Sequence, residues 1–207
     1  MNIEDYPKTT IILRDVSYQQ AQAIVKAASV FDKQFAVEVT LNTPNAFEII
    51  KKLKEEFGEN IYIGSGTVRT LEDVKKSIEA ACDFILGPHT FTAEMINLGK
   101  ENNILTVPAA MTPSEVHDMF SRGADIVKVF PAAVVTPRFF SDIQAPLGEL
   151  SLMAVGGVSK ENVKEFFNYG TKYVGIGSGM FPKDVLESLK HDELVKVLNQ
   201  YITHINQ

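Results

Sequence analysis

Eight times along this chain a short run of apolar, β-type residues gives way to a stretch with apolar residues at helical spacing, and nothing interrupts the alternation. The runs are Thr10–Leu13, Phe35–Leu41, Ile61–Ile63, Asp83–Leu86, Ile104–Val107, Ile126–Phe130, Leu152–Val155 and Tyr173–Ile176. Between them lie helical patterns. Ser17 is placed to cap one carrying Ala21, Ile24, Val25 and Ala28. Thr43-Pro44 is expected to open the next, with proline at its first position and Phe47, Ile50, Leu53 and Phe57 along it. Others start near Thr70, Ala93, Thr112-Pro113, Pro137 and Ser159, and two close the chain at 185–189 and 194–205. Strands alternating with helices imply right-handed βαβ units and a parallel sheet. Eight units in 207 residues, with no linker or low-complexity tract, predict one compact (β/α)8 barrel over residues 1–207. The alternative, an open doubly wound sheet, usually has fewer strands. Its dinucleotide-binding form would carry a Gly-x-Gly-x-x-Gly turn where this chain has Arg14-Asp15-Val16.

Composition narrows the function classes. A 45% hydrophobic chain can build a substantial core, whereas a net charge of −6 argues against an electrostatic nucleic-acid surface. No apolar run is long enough to span a bilayer, and Met1–Thr10 lacks a charged-then-apolar signal pattern. The single cysteine, Cys82, rules out an internal disulfide and fits a reducing cytoplasm. Beside Phe84 and Ile85 it reads as a small buried hydrophobe rather than a nucleophile.

The unusual residues gather near strand ends, where barrel active sites form. Lys128 sits inside Ile126–Phe130, a segment that reads as buried on both faces. Desolvation lowers an ammonium pKa, and a free amine in an apolar pocket can condense with a ketone to a Schiff base. In Phe35–Leu41, alternation sends Val37, Val39 and Leu41 to one face and Glu38 and Thr40 to the other. Bulky apolar residues should face the helices, so Glu38 should point into the barrel, and the same reasoning turns Lys128 inward with Ile126 and Phe130. The two could form a buried ion pair. The chemical reading makes Lys128 the nucleophile and Glu38 the general acid/base. Gly156-Gly157 and Gly177-Ser178-Gly179 follow the seventh and eighth runs, the usual barrel location for a phosphate, and precede expected helix starts. Gly64-Ser65-Gly66-Thr67 ends the third run, where the Thr67 hydroxyl would reach the same rim.

Six segments in register then carry a family resemblance over nearly the whole chain. They are Glu38–Thr43, Gly64–Val68, Gly87-Pro88, Lys128–Ala132, Gly156–Val158 and Gly175–Ser178. Together they resemble the bacterial 2-keto-3-deoxy-6-phosphogluconate / 4-hydroxy-2-oxoglutarate (KDPG/KHG) aldolases. The resemblance implies a metal-free class I aldolase without cofactor, commonly a homotrimer. Such an enzyme cleaves a 2-keto-3-deoxy-6-phospho sugar acid to pyruvate and glyceraldehyde 3-phosphate, or 4-hydroxy-2-oxoglutarate to pyruvate and glyoxylate. Lys128 matches the Schiff-base lysine and Glu38 the acid/base. Thr67 and Pro88 match the pyruvate pocket, and Gly156, Gly157, Gly177 and Ser178 match the phosphate-binding positions. Two positions depart from the gluconate pattern: Asn42 stands for an arginine and Val155 for a threonine. Leu41–Pro44 and Ala154–Val158 look more like the 2-keto-3-deoxy-6-phosphogalactonate (KDPGal) branch, whose substrate is epimeric at C4. There an arginine just after the first strand contacts substrate, and Arg14 matches it. A guanidinium suits carboxylate or phosphate through paired donors, whereas the bland role for Arg14 is a surface salt bridge. Ala109-Ala110 stand where many relatives carry glycine.

His89 is expected to be scaffold, and His117, His191 and His204 solvated on helices. No His/Cys/carboxylate set of zinc type stands out, which disfavours a metal-dependent aldolase. Lys51-Lys52-Leu53-Lys54 and Lys75-Lys76 read as solvated faces compensated by Glu55, Glu56 and Glu72. Two other classes remain as alternatives to the lyase: a phosphosugar isomerase or epimerase in which Lys128 and Glu38 only move protons, and a phosphosugar-binding barrel without turnover.

Overall fold

The computed structural model describes residues 1–177 and 179–206. In chain order the elements are β1 (Thr9–Leu13), α1 (Tyr18–Ser29), β2 (Phe35–Thr40), α2 (Ala46–Phe57), β3 (Tyr62–Gly66), α3 (Leu71–Glu79), β4 (Phe84–Leu86) and α4 (Ala93–Glu101). There follow β5 (Leu105–Val107), β6 (Ala109–Ala110), α5 (Pro113–Ser121), β7 (Val127–Val129), α6 (Ala132–Val135) and α7 (Arg138–Leu147). The chain ends with β8 (Leu152–Val155), α8 (Val163–Asn168), β9 (Tyr173–Ile176), α9 (Lys183–Ser188) and α10 (His191–Asn206).

Every strand pair is parallel, in the order β5-β4-β3-β2-β1-β9-β8-β7-β6. The sequence suggests eight strands and the structure has nine, because the fifth is cut by Pro108, which has no N–H to give a ladder. The two pieces still act as one stave. β5 pairs with β4 and β6 with β7, while the Lys128 N–H donates across the break to the Pro108 carbonyl at 2.9 Å. The eight positions close a barrel wrapped by helices, the (β/α)8 architecture expected.

Alternation sorts each strand into two cores. Val37, Val39, Val127 and Val129 pack outward against the helices, and Ala36, Phe84, Leu105, Ile126 and Met153 fill the barrel. The interior is closed at the amino ends of the strands by Tyr6. Its ring lies edge-on to Phe84 and Tyr173 at 5.1 and 5.7 Å, and its hydroxyl bonds to Thr10 at 2.6 Å. With that end packed, a ligand enters only from the carboxyl ends.

Capping boxes begin α1 at Ser17, α3 at Thr70 and α5 at Thr112, the last with Pro113 in the first turn. The expected start of α2 is corrected. Asn45, with φ of 57°, is its N-cap, so Pro44 lies outside the helix and the Thr43 hydroxyl serves another purpose. The lysine face of α2 is also not wholly solvated. Lys54 reaches Asp83 at 2.7 Å, and the same carboxylate oxygen accepts the Ile63 N–H at 2.8 Å, tying α2 to the barrel. Cys82 is buried, and burial pushes its thiol up to about 12, which removes it as a nucleophile near neutral pH.

Candidate active site

Glu38 is 3% exposed and Lys128 6%, two ionisable side chains turned into an apolar barrel. Their strands, β2 and β7, stand four positions apart in a ring of eight, so the side chains face each other across the axis. Among the described residues neither belongs to a salt bridge, so the buried ion pair is not what the fold builds. Glu38 Oε2 is buried with no hydrogen-bond partner. Burial raises the Glu38 carboxyl to about 7, against the opposing pull of the Lys128 and Arg14 charges. Burial also lowers the Lys128 ammonium, assisted by Arg14 and opposed by Glu38. The Lys128 Nζ lies 5.2 Å from the centre of the Phe130 ring, the next inward residue on its own strand.

Gly66, at the end of β3, explains where the carboxyl rests. A Cβ there would stand 2.5 Å from both Cδ and Oε2 of Glu38, so only glycine leaves Glu38 its place. Gly66 lies in the Gly64–Thr67 segment, and its role appears only when the register sets β3 beside β2. Thr67 follows at φ of 59°, partly exposed on the rim, and Pro88 sits partly exposed beyond β4. Both flank the Glu38 side of the mouth.

Next to Phe130, on the side of β1, β8 and β9, opens a cavity of about 550 Å³, whose wall includes neither Lys128 nor Glu38. Arg14, Phe130, Val155, Gly156, Gly157, Ser159, Gly177 and Gly179 contribute to its wall. Arg14 is exposed and belongs to no salt bridge among the described residues, so the surface ion-pair role is not observed. Asn42 is exposed and absent from this wall, whereas Val155 is buried within it. Gly156 and Gly157 have φ of 90° and 79°, and a side chain on Gly157 would collide with the Ala133 Cβ. Asn162, not singled out from sequence, organises this loop: its amide donates to the Gly157 carbonyl at 2.7 Å and its oxygen accepts the Ser159 N–H at 2.8 Å. α8 starts later than expected, at Val163, and α9 starts at Lys183, beyond Gly179, so the amides near the cavity belong to loops rather than helix ends. Ser178 lies outside the described residues.

His89 is exposed, its Nδ1 2.7 Å from the Thr90 carbonyl oxygen, and His117 and His191 are exposed on their helices. His204 is partly buried rather than solvated, with Nε2 shielded from solvent. Among the described residues no group of three or more His, Cys, Asp or Glu could hold a metal ion, and no helix is long and apolar enough to cross a membrane. Ala109 and Ala110 are buried and form β6.

This geometry has counterparts among known proteins. The family model described as KDPG and KHG aldolase matches residues 3–197. The chain is 31% identical over 172 residues to a probable 2-dehydro-3-deoxy-6-phosphogalactonate aldolase of Rhizobium meliloti, covering 82% of this chain and 80% of that one. It is 30% identical over 172 residues to the 2-dehydro-3-deoxy-6-phosphogalactonate aldolase of Escherichia coli K12, covering 82% of each. A solved structure described as native KDPGal superposes with a TM-score of 0.84 at 25% identity, over 96% of both chains.

Proposed function

The chain belongs to the KDPG and KHG aldolase family, and from that premise we propose that it is a class I aldolase acting on a 2-keto-3-deoxy-6-phospho sugar acid. One observation carries the reading of the site: an amine whose ammonium is disfavoured and a carboxyl raised to about 7 face each other, unpaired, inside a barrel open only at the mouth. Lys128 attacks the C2 carbonyl of the keto acid. Glu38 gives a proton to the carbinolamine oxygen, which leaves as water, and a protonated imine remains. Glu38, now a carboxylate, takes the proton from the C4 hydroxyl. The C3–C4 bond breaks, its electron pair passes into the imine to form an enamine, and C4 departs as the aldehyde carbon of glyceraldehyde 3-phosphate. Glu38 returns the proton to C3, and water releases pyruvate from Lys128. A carboxyl near 7 suits both directions of transfer. Thr67 and Pro88 border the pyruvate end, and the loops at Gly156-Gly157 and Gly177-Ser178 take the phosphate.

For the C4 epimer, the galactonate type is favoured over the gluconate type. Arg14 and Val155 line the cavity and Asn42 does not, while the relatives above are named for the galactonate substrate. Action on 4-hydroxy-2-oxoglutarate remains part of the proposal. We read the working form as a cytoplasmic homotrimer, supported by two apolar side chains left exposed near the mouth, Met111 at 37% and Val134 at 65%.

The test is borohydride reduction in saturating pyruvate followed by peptide mass spectrometry. A reduced pyruvyl adduct on Lys128, lost in Lys128→Ala, is expected. Its absence would overturn the imine mechanism and bring forward the isomerase or binding readings. Turnover of the two epimers then ranks them, with the galactonate type expected to be the faster.

A further inference from the structure

We infer that Thr43 is a positioning residue for Arg14, coupling the turn that carries the guanidinium to the strand that carries Glu38. The inference rests on the aldolase reading and on Arg14 as its substrate-contacting cation. Arg14 leaves β1 and is followed by Asp15, whose φ of 53° turns the backbone sharply into the approach to α1. Such a left-handed turn on a residue with a side chain needs support from its surroundings. The support is a single hydroxyl. Asp15 donates its N–H to Thr43 Oγ1 at 3.1 Å, and Thr43 Oγ1 lies 3.2 Å from Thr40 Oγ1. The Thr43 oxygen accepts the Asp15 N–H, and in its pair with Thr40 either hydroxyl can be the donor.

Thr43 is only 3% exposed and Thr40 is fully buried, so the two hydroxyls are shielded from bulk water. Thr40 is the next residue after Glu38 on the inward face of β2, and Thr43 is held close by its own N–H, which donates to the Thr40 carbonyl at 2.9 Å. A short polar bridge therefore runs from the Glu38 strand to the Arg14 turn. Removing the Thr43 hydroxyl takes the acceptor away from the part-buried Asp15 N–H bond and frees the turn to relax.

The experiment is a kinetic double-mutant cycle on whichever C4 epimer the wild type cleaves faster. Thr43→Val is expected to raise KM about tenfold with kcat within about threefold of wild type, and Thr43→Ser to restore KM. In an Arg14→Ala background Thr43→Val should add nothing to KM, because there is no guanidinium left to place. Additive effects in the double variant, or a fall in kcat at unchanged KM, would overturn the proposal. If Arg14→Ala itself left KM unaltered, the proposal would fall at its premise about Arg14 while the imine mechanism stood on its own adduct test. Should Thr43→Val not fold, Thr43→Ala gives the same cycle, and faster exchange of the Asp15 amide than in Thr43→Ser is its independent signature. Equal exchange in the two variants would refute the bridge.

Discussion

Burial gives the Glu38 carboxyl an ionisation near 7, and this has a consequence for stability as well as for rate. An unfolded glutamate ionises near 4.5, so below that pH both states are protonated and the group is neutral to folding. As pH rises from 4.5 to 7 the unfolded chain releases its proton first, and stability falls through that window before levelling off. Glu38→Gln carries no such proton. The variant should therefore gain up to about 3 kcal/mol on wild type at pH 8 relative to the difference at pH 4.5, read by urea unfolding at the two pH values. A difference independent of pH would mean that Glu38 ionises normally in the fold. The same variant should lose at least about a hundredfold in kcat. Gly66 offers the complementary test, because its backbone is not in a conformation reserved for glycine and the nearest atoms a side chain would meet are those of the Glu38 carboxyl. Gly66→Ala should displace that carboxyl and cut kcat by about a hundredfold while costing about 1–3 kcal/mol of stability, with far-ultraviolet dichroism unchanged. A fully active Gly66→Ala would show that Glu38 has another productive position.

Elements differ in how openly the chain declares them. Strands buried on both faces must be short, apolar and β-branched, which is why Ile126–Phe130 and Leu152–Val155 were legible, and a charge inside such a run marks Lys128 and Glu38 at once. The cap at Ser17 and the helix starts at Thr70 and Thr112 were legible because their partners lie three residues on. What escaped depends on distant neighbours. Thr43-Pro44 has the local look of a helix start, yet Thr43 is occupied by Asp15, and α2 waits for Asn45. Lys54 looks solvated until β4 brings Asp83 beneath it. The loop after β8 is the sharpest case, since Gly156-Gly157 was visible but the clamp that shapes it, Asn162, was not. Asn162→Ala removes both side-chain bonds of that clamp. We expect affinity for inorganic phosphate to fall about tenfold, measured by calorimetry, with pyruvate trapping on Lys128 unaffected. Unchanged phosphate affinity would place the anion elsewhere on the mouth.

At the scale of the whole molecule the barrel is sealed at one end and loaded at the other, and the surface around the loaded end is where an assembly would matter most. Met111 follows β6 and Val134 lies on α6, which leaves β7 two residues beyond Phe130. These loops belong to paired strands, β6 and β7, so both exposed apolar side chains stand at the same end of the barrel, beside the strand of Lys128. Covering a valine that is 65% exposed is worth on the order of 1 kcal/mol per subunit, and burying a carboxylate in its place costs several times that. Val134→Asp should therefore dissociate a trimer without unfolding the barrel, because in a single chain the side chain already faces water. Sedimentation velocity is expected to show the wild type near three times the 22.9 kDa of one chain and the variant near one. If the interface also braces the turn after Phe130, the variant will lose kcat severalfold while its isolated fold melts cooperatively, since that turn connects directly to the strand that holds the amine. A wild type that sediments as a single chain, or a Val134→Asp variant that stays trimeric, would remove α6 from the interface and leave Lys128 supported by the barrel alone.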